Sequence, residues 1–123
     1  MVTHFTELNV YTKSFELAGR VFVISKRWPP EERYSLTDQI RRAARSVGAN
    51  LAESWGKRRY EAHFVSKLTD ADSGNHEVEH WLLSAHRDGY LSAEELNELV
   101  GAKREVGKML GSMIQNPASF LLR

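Results

Sequence analysis

Cysteine is absent from the sequence, so disulfide bonds and thiolate chemistry are both excluded. The longest apolar runs extend over only a few residues, too short to span a bilayer, and the N-terminal region lacks the apolar core of a signal peptide. These absences are typical of a protein in a reducing compartment, and we expect a cytoplasmic location.

Catalytic signatures are missing as well. The sequence contains no G-x-S-x-G nucleophile motif, no Walker A loop and no dinucleotide-binding glycine fingerprint. We therefore expect no enzymatic activity and no cofactor. With 123 residues and no internal repeat or low-complexity tract, the chain is expected to form one domain over residues 1–123.

Helical periodicity is the main feature that the sequence does contain. Apolar residues recur every three or four positions in four segments, and a proline or glycine signal closes each of them. The segments run from about residue 8 to 27, from Ser35 to Gly56, from about residue 59 to 87, and from Ser92 to Asn116–Pro117. Four long helices with short connections predict an all-α fold, an antiparallel up-and-down four-helix bundle.

The first helix carries more apolar surface than a single buried face requires. Apolar residues recur at helical spacing as Leu8, Tyr11, Phe15, Ala18 and Phe22. The run at residues 21–24, Val-Phe-Val-Ile, adds apolar side chains on other sides of the same helix. A helix that is apolar on more than one side predicts a second partner beyond its own bundle.

Local signals mark the ends and the packing of the other helices. Ser35 with Asp38, and Ser92 with Glu95, have the spacing of a capping box, in which hydroxyl and acid satisfy free backbone N–H groups at a helix start. Gly107 and Gly111 lie one turn apart in the last helix, which predicts close approach of a neighbouring helix.

Residues 76–80, HEVEH, match the H-E-x-x-H pattern of zinc proteases and also its inverted form. A metzincin needs a glycine seven residues after the first histidine so that the chain can turn, but Leu83 stands there. His86 has the spacing of the third metzincin histidine. Without that turn it would lie about 15 Å from His76 along a straight helix, too far to bind the same metal ion. Glu77 and His80 also form one Glu-x-x-His motif, whereas di-iron bundles need two. We interpret the stretch as a solvated helix face and predict no metal site.

Charge is divided unevenly along the chain. Residues 1–60 hold 11 Lys and Arg against 6 Asp and Glu, a net charge of +5, whereas residues 61–123 hold 6 against 10, a net charge of −4. Between residues 39 and 60 only Glu53 is acidic, while six residues are basic: Arg41, Arg42, Arg45, Lys57, Arg58 and Arg59.

Two hypotheses account for this basic stretch. Clustered arginines bind phosphate oxygens with strongly salt-dependent affinity, so the six residues predict a surface for structured RNA or a nucleoprotein. Alternatively, the chain is a protein–protein interaction module without nucleic acid, in which these arginines pair with the acidic third and fourth helices of a neighbouring subunit. The sequence leaves both hypotheses open.

The same region resembles the signature of a bacterial family, the "four helix bundle proteins", also called ribosomal-RNA intervening-sequence proteins. Its central motif is matched by Leu36, Gln39-Ile40, Arg42-Ala43-Ala44, Ser46 and Asn50-Leu51-Ala52-Glu53. The similarity extends to Phe15-Glu16-Leu17-Ala18, Trp28-Pro29, Glu77-Val78-Glu79 and Gly89-Tyr90-Leu91. Members commonly have glycine after Ala-Glu, where this chain has Ser54.

The resemblance implies a cytosolic four-helix bundle that assembles as a ring-like homopentamer, with no known catalysis. Similar proteins include the accessory variability protein of diversity-generating retroelements, a basic pentamer that binds nucleic acid and a reverse transcriptase. We predict structural or interface roles for Gln39, Ser46, Asn50 and Glu53, with Asn50 and Glu53 as hydrogen-bonding groups that fix the register between helices.

Overall fold

The computed structural model describes residues 2–122, which form four α-helices and three short 3-10 turns but no strand. The helices are α1 (Asn9–Ser25), α2 (Leu36–Trp55), α3 (Glu61–Arg87) and α4 (Ala93–Gln115). Each helix packs against the two that neighbour it around the bundle, with the most extensive contact between α2 and α3. The predicted antiparallel four-helix bundle is therefore confirmed. No helix in this part of the chain combines the length and apolarity needed to cross a membrane.

One of the two predicted capping boxes is present. The Ser92 hydroxyl accepts from the Glu95 N–H at 3.1 Å, and the Glu95 carboxylate accepts from the Ser92 N–H at 2.9 Å. At the start of α2, Ser35 is the N-cap residue, but it makes no side-chain cap. Its hydroxyl donates instead to the Glu32 carboxylate at 2.7 Å, so the predicted capping box at this helix is wrong.

The turn predicted at Asp88-Gly89 ends α3. Gly89 has φ of +87°, a conformation that favours glycine. The Tyr90 N–H donates to the Ala85 carbonyl at 2.9 Å, and the Gly89 N–H donates to the His86 carbonyl at 3.1 Å. These two bonds form a Schellman motif, which satisfies the last carbonyls of α3 and directs the chain back into α4.

The inner face of α1 differs from the line that its apolar residues suggest. The core side of the helix consists of Val10, Ser14, Leu17, Val21 and Ser25. Phe15 lies 66% exposed on the outer side, and so does Val23. Two small serines interrupt the buried stripe, which is why apolar periodicity alone did not find it. In α2 and α3 the apolar residues at helical spacing, such as Ile40 and Leu51 in α2 and Phe64 and Leu82 in α3, are buried as this periodicity predicts.

A layer of polar groups divides the hydrophobic core into two clusters. Toward one end lie residues such as Val21, Ile40 and Leu82, and toward the other residues such as Leu51 and Phe64. Between the two clusters the bundle buries three polar residues, each at most 6% exposed: Ser14, Asn75 and Lys103. Buried polar groups are costly unless they are bonded, so this layer restricts the ways in which the helices can align.

Two consecutive residues of α3 join it to α2 and to α4. A Cβ added at Gly74 would overlap the Ser46 hydroxyl of α2, which would have to move to admit any larger residue. Asn75 donates its Nδ2–H to the Lys103 carbonyl of α4 at 2.9 Å. Its Nδ2 also lies 3.2 Å from where a Cβ of Gly107 would be, which confirms the close approach predicted there. Nothing comparable approaches Gly111.

Lys103 of α4 is also buried, and its positive charge is neutralised by an acidic residue of α3. Its Nζ lies 3.2 Å from the Glu79 carboxylate, which Arg104 also approaches at 3.5 Å. The hydrogen bond from Lys103 holds the pKa of Glu79 below its usual value. The Glu79 carboxylate is therefore bound to this buried lysine and is not available to another partner.

Ion pairs connect α1 to α4 along their exposed edge. Two cations of α1 and one of the turn that follows it, spaced seven residues apart, face three glutamates of the antiparallel α4 as Lys13–Glu105, Arg20–Glu98 and Arg27–Glu95. We call these pairs the α1–α4 ladder. The pKa of Glu95 falls to about 2, because Arg27 and the Ser92 backbone both bond to its carboxylate.

We predict that Gly74→Ala lowers the free energy of unfolding by about 1–2 kcal/mol, because the new methyl group overpacks the contact with Ser46. In a Ser46→Ala background the nearest side-chain atom would be the residue-46 Cβ at 3.6 Å, an ordinary contact. There Gly74→Ala should be neutral or stabilising. Denaturant unfolding of the four proteins in this double-mutant cycle measures the difference.

Gly101→Ala is the matched control, because Gly101 lies in α4 with nothing within 4 Å of an added Cβ. It should stabilise the protein by up to about 1 kcal/mol through helix propensity alone. Equal effects of Gly74→Ala and Gly101→Ala would show that the α2–α3 contact is not constrained at this point.

Candidate nucleic-acid interface

The six basic residues of the candidate site lie in separate places. Arg41 and Arg45 are on the edge of α2 that faces α1, whereas Arg42 projects outward and pairs with Asp38 at 3.0 Å. Lys57, Arg58 and Arg59 lie in the connection between α2 and α3, which we call the α2–α3 joint (residues 56–60). About 15 Å of helix separates Arg45 from the last residue of α2.

Arg41 and Arg45 surround an aromatic ring of α1 together with a third cation. The guanidinium carbons of Arg41 and Arg45 lie 4.6 and 5.6 Å from the centre of the Phe22 ring. Lys26 places its Nζ 4.7 Å from the same point. We call these four residues the Phe22 cluster. Cation–π attraction holds like charges near one another at a surface that would otherwise spread them apart.

Lys26 was not among the residues selected from the sequence. It follows α1, whereas Arg41 and Arg45 are in α2, so no local pattern links the three. The available signal was topological, since two antiparallel helices joined by a short connection bring the end of the first beside the start of the second.

Within the Phe22 cluster, Arg41 is tied to the fold and Arg45 is not. The Nε–H of Arg41 donates to the Ser25 hydroxyl of α1 at 2.8 Å, and one Nη lies 3.5 Å from the Phe22 carbonyl. Arg45 makes no hydrogen bond or ion pair within residues 2–122 and is exposed. Arg41 therefore has a structural task in addition to any contact with a ligand.

The α2–α3 joint combines basic and aromatic side chains. Arg58 stacks on Trp55 with its guanidinium 3.7 Å from the ring centre, and its Nε–H donates to the Trp55 carbonyl at 2.8 Å. Tyr60 is 61% exposed and contacts His63 edge-on. Lys57 and Arg59 are exposed beside them. Trp55 itself is buried, so the exposed ring is that of Tyr60. Cations near such a ring can contact phosphates while the ring stacks on an unstacked base of a nucleic-acid strand.

Few of the basic residues in this half of the chain are neutralised. Of the six candidate residues, only Arg42 has a carboxylate within 4 Å in residues 2–122. Eight described cations have no such ion pair, and seven of them fall between residues 26 and 59: Lys26, Arg33, Arg41, Arg45, Lys57, Arg58 and Arg59. The uneven charge of the sequence is therefore also an uneven distribution of unpaired charge on the bundle.

Three of the four residues with predicted structural roles lie along the α2 edge toward α3. The Ser46 hydroxyl donates to the Ala43 carbonyl at 2.7 Å, and Asn50 Nδ2–H donates to the Ser46 carbonyl at 2.9 Å. Glu53 pairs with Lys67 of α3 at 2.8 Å, and this bond lowers the pKa of Glu53. Gln39 is exposed and makes no side-chain hydrogen bond within residues 2–122.

The histidine stretch lies within an unbroken helix, because α3 continues past Leu83 to Arg87. His76 Nδ1 lies 2.8 Å from the Asp72 carbonyl, and Glu77 accepts from the Trp81 indole N–H at 3.1 Å. His80 contacts the same Trp81 ring. In residues 2–122 no three His, Asp or Glu side chains come together in an arrangement that could hold a metal ion.

Comparison with known proteins finds similarity over most of the chain. Residues 6–112 match the family model described as "23S rRNA-intervening sequence protein". A crystal structure from Bacteroides thetaiotaomicron VPI-5482, described as a protein with unknown function from the S23 ribosomal protein family, is similar to the bundle with a TM-score of 0.78. The two chains share 30% identity over 87% of this chain and 96% of the other. No curated protein matches the chain.

We predict that Arg41→Gln and Arg45→Gln affect stability differently. Loss of the bond from Arg41 to Ser25 should lower the free energy of unfolding by about 1–2 kcal/mol, because the bond has a charged donor and is partly buried. Arg45→Gln should change it by less than about 0.5 kcal/mol, as is usual for an exposed residue. Urea unfolding measures both; equal losses would contradict the structural role assigned to Arg41.

Proposed function

The chain belongs to the family of 23S rRNA-intervening sequence proteins, and from that premise we propose that it is a non-enzymatic, oligomeric scaffold that binds structured RNA or a nucleoprotein. The binding surface is formed by the Phe22 cluster, the exposed Arg42 and the α2–α3 joint. The observation that carries the proposal is the concentration of seven unpaired cations between residues 26 and 59. A cytoplasmic location goes with this role.

Unpaired arginines on a rigid bundle suit a phosphate backbone. A guanidinium group presents paired N–H donors that match phosphate oxygens, and contact with several phosphates releases the counterions condensed on the nucleic acid. The Phe22 cluster and the α2–α3 joint lie at different heights of α2, so an RNA helix or a folded strand lying along α2 would contact both. This binding would recognise the shape and charge of the RNA, with little direct base recognition.

The ion pairs within the chain favour RNA over the alternative of a protein–protein interaction module. In that alternative, arginines of α2 pair with acidic residues on α3 and α4 of a neighbouring subunit. Three α4 glutamates already face cations of their own chain in the α1–α4 ladder, and Glu79 of α3 is bound to Lys103. The remaining exposed glutamates, such as Glu61, Glu77 and Glu94, are scattered over the surface.

The scaffold we propose is assembled from several copies of the chain through the outer face of α1. Phe15 and Val23 are each 66% exposed on this face, and Gly19 between them leaves open space. A groove of about 890 Å³ lies between α1 and α4, and Val23 lines it. Phe15 lies at the smaller groove between α1 and α2, whose far side belongs to Phe22 and Arg45 of the Phe22 cluster.

A second copy of the chain is the partner that fits this face best. Every copy carries both a protruding side chain, Phe15, and the groove between α1 and α4 that could receive it. In a closed ring, the protruding side chain of each copy would enter the groove of the next; the resemblance to the pentameric family members implies five.

We predict steeply salt-dependent binding of structured RNA. In fluorescence anisotropy across a salt series, the wild type should lose affinity as salt rises, because counterions compete for the phosphates. The variant Lys57→Gln/Arg58→Gln/Arg59→Gln should bind more weakly and with a salt slope smaller by about 2–3, the number expected for three lost phosphate contacts.

The control removes the same charge elsewhere, as Arg87→Gln/Arg104→Gln/Lys108→Gln on α3 and α4. These three cations lie outside the proposed surface, so the control should keep most of the affinity and slope of the wild type. Both variants must first show unchanged helix content and oligomeric mass. If the wild type fails to bind RNA even at low salt, or if both variants lose affinity equally, the RNA surface proposed here is wrong.

A second prediction concerns assembly. Light scattering should give a mass several times the 14.1 kDa of one chain, and Phe15→Glu/Val23→Glu should reduce it toward the monomer, because two charges would be buried in an apolar contact. Leu83→Glu is the control, since Leu83 is an exposed apolar residue of α3. A monomeric wild type, or dissociation by Leu83→Glu alone, would contradict an interface on α1.

A further inference from the structure

A small pocket lies where α1 ends and α2 begins. Its volume is about 230 Å³, and its walls include Ser25, Lys26, Pro30, Arg33, Thr37 and Arg41. Pockets for drug-sized ligands are typically about 300–1,000 Å³, so this one suits a single small group. The two prolines of the connection form part of the wall and restrict the backbone there.

The charges around this pocket are all of one sign. Lys26, Arg33 and Arg41 line it, none of them has an ion pair within residues 2–122, and no acidic residue is part of the lining. Arg41 uses its Nε–H and one Nη for the fold, which leaves further guanidinium donors available. Thr37 lies in the first turn of α2, where the helix dipole adds positive potential.

A polar side chain without a partner points to a ligand independently of charge. Thr37 is only 8% exposed, yet its hydroxyl forms no hydrogen bond within residues 2–122. The hydroxyl oxygen is nevertheless reached by solvent, because it is not among the unpaired side-chain atoms sealed inside that part of the chain. Thr37 lines the pocket, so an anion bound there can accept a hydrogen bond from this hydroxyl in place of water.

We propose that this pocket binds one phosphate group of a nucleic-acid chain, held by Lys26, Arg33 and Arg41 and by a hydrogen bond from Thr37. A phosphate offers several acceptor oxygens within a small volume, which matches both the size of the pocket and its set of donors. The nucleic-acid source rests on the function proposed above. The group itself is either a backbone phosphodiester or a terminal phosphomonoester.

Inorganic phosphate is the probe for the pocket itself. Its effect on the thermal midpoint is compared with that of chloride at equal ionic strength for the wild type, Arg33→Gln, Thr37→Val and Lys108→Gln. Thr37→Val removes the hydroxyl and keeps the shape, while Lys108 is an unpaired cation of α4 outside the pocket. Phosphate should raise the midpoint of the wild type and of Lys108→Gln, and Arg33→Gln and Thr37→Val should lose most of the rise.

Two results would overturn the pocket: no phosphate-specific rise in the wild type, or the same rise in all four proteins. The chloride midpoint of each variant shows whether it has folded, and Arg33, being exposed, can be replaced without disturbing the core. If phosphate acts through Arg33 and Thr37 while structured RNA does not bind, the pocket stands and the proposed function fails. If structured RNA binds with salt dependence but phosphate has no effect on the midpoint, the proposed function stands and the pocket fails.

Oligonucleotides distinguish the two sources of phosphate. A strand with a 5′-phosphate that binds about tenfold more tightly than its 5′-hydroxyl counterpart, a difference of about 1.4 kcal/mol, would identify a terminal phosphomonoester. Equal affinities that Thr37→Val lowers alike would identify a backbone phosphate. Affinities that Thr37→Val leaves unchanged in both strands would overturn a role of the pocket in nucleic-acid binding.

Discussion

The contact made by Gly74 and Asn75 in the middle of α3 sets the alignment on which the rest of the bundle depends. Gly74 fits against Ser46 of α2, and Asn75 bonds to the backbone of α4 beside Gly107. Apolar packing alone tolerates sliding of one helix along another, because one leucine can replace the next. The Gly74–Asn75 contact does not tolerate it. A shift would break the one bond of the buried amide, from Asn75 Nδ2, whose Oδ1 already lacks a partner in residues 2–122, and would place a residue with a Cβ against Ser46.

The distribution of surface charge follows from that alignment. Exposed ion pairs contribute at most about 1 kcal/mol each, so the α1–α4 ladder is more a consequence of helix register than its cause. With this register, Lys13 and Arg20 of α1 pair with glutamates of α4, and Lys103 pairs with Glu79. The cations of α2 and its two connections face no comparable acidic edge. Their excess charge is the feature that a polyanion can use.

Much of this fold follows from residue patterns, and the exceptions have physical causes. The stripes of α2 and α3 were predicted because their buried residues are apolar at regular spacing. The buried stripe of α1 was not predicted, because Ser14 and Ser25 occupy two of its positions while the apolar Phe15 lies on the outer side. Ser35 has the right spacing for a capping box, but the hydroxyl bonds to Glu32 in the preceding turn, a choice that spacing does not encode.

The candidate site was predictable as a set of residue types but not as a surface. Counting charges found the six cations of residues 39–60. Their division between the Phe22 cluster and the α2–α3 joint depends on which side of α2 faces α1. The contributions of Lys26 and Arg33 depend on how the connection after α1 folds back. Likewise, the bond from Arg41 to Ser25 joins two helices and has no local signal.

Photo-cross-linking would show whether RNA lies along α2 and the segments that flank it, as we propose. A structured RNA containing 4-thiouridine would be irradiated in complex with the wild-type protein, and the cross-linked peptides identified by mass spectrometry. We expect the cross-links to fall between residues 26 and 60 and to include the exposed Tyr60. Cross-links concentrated on α3 and α4 would contradict the proposal.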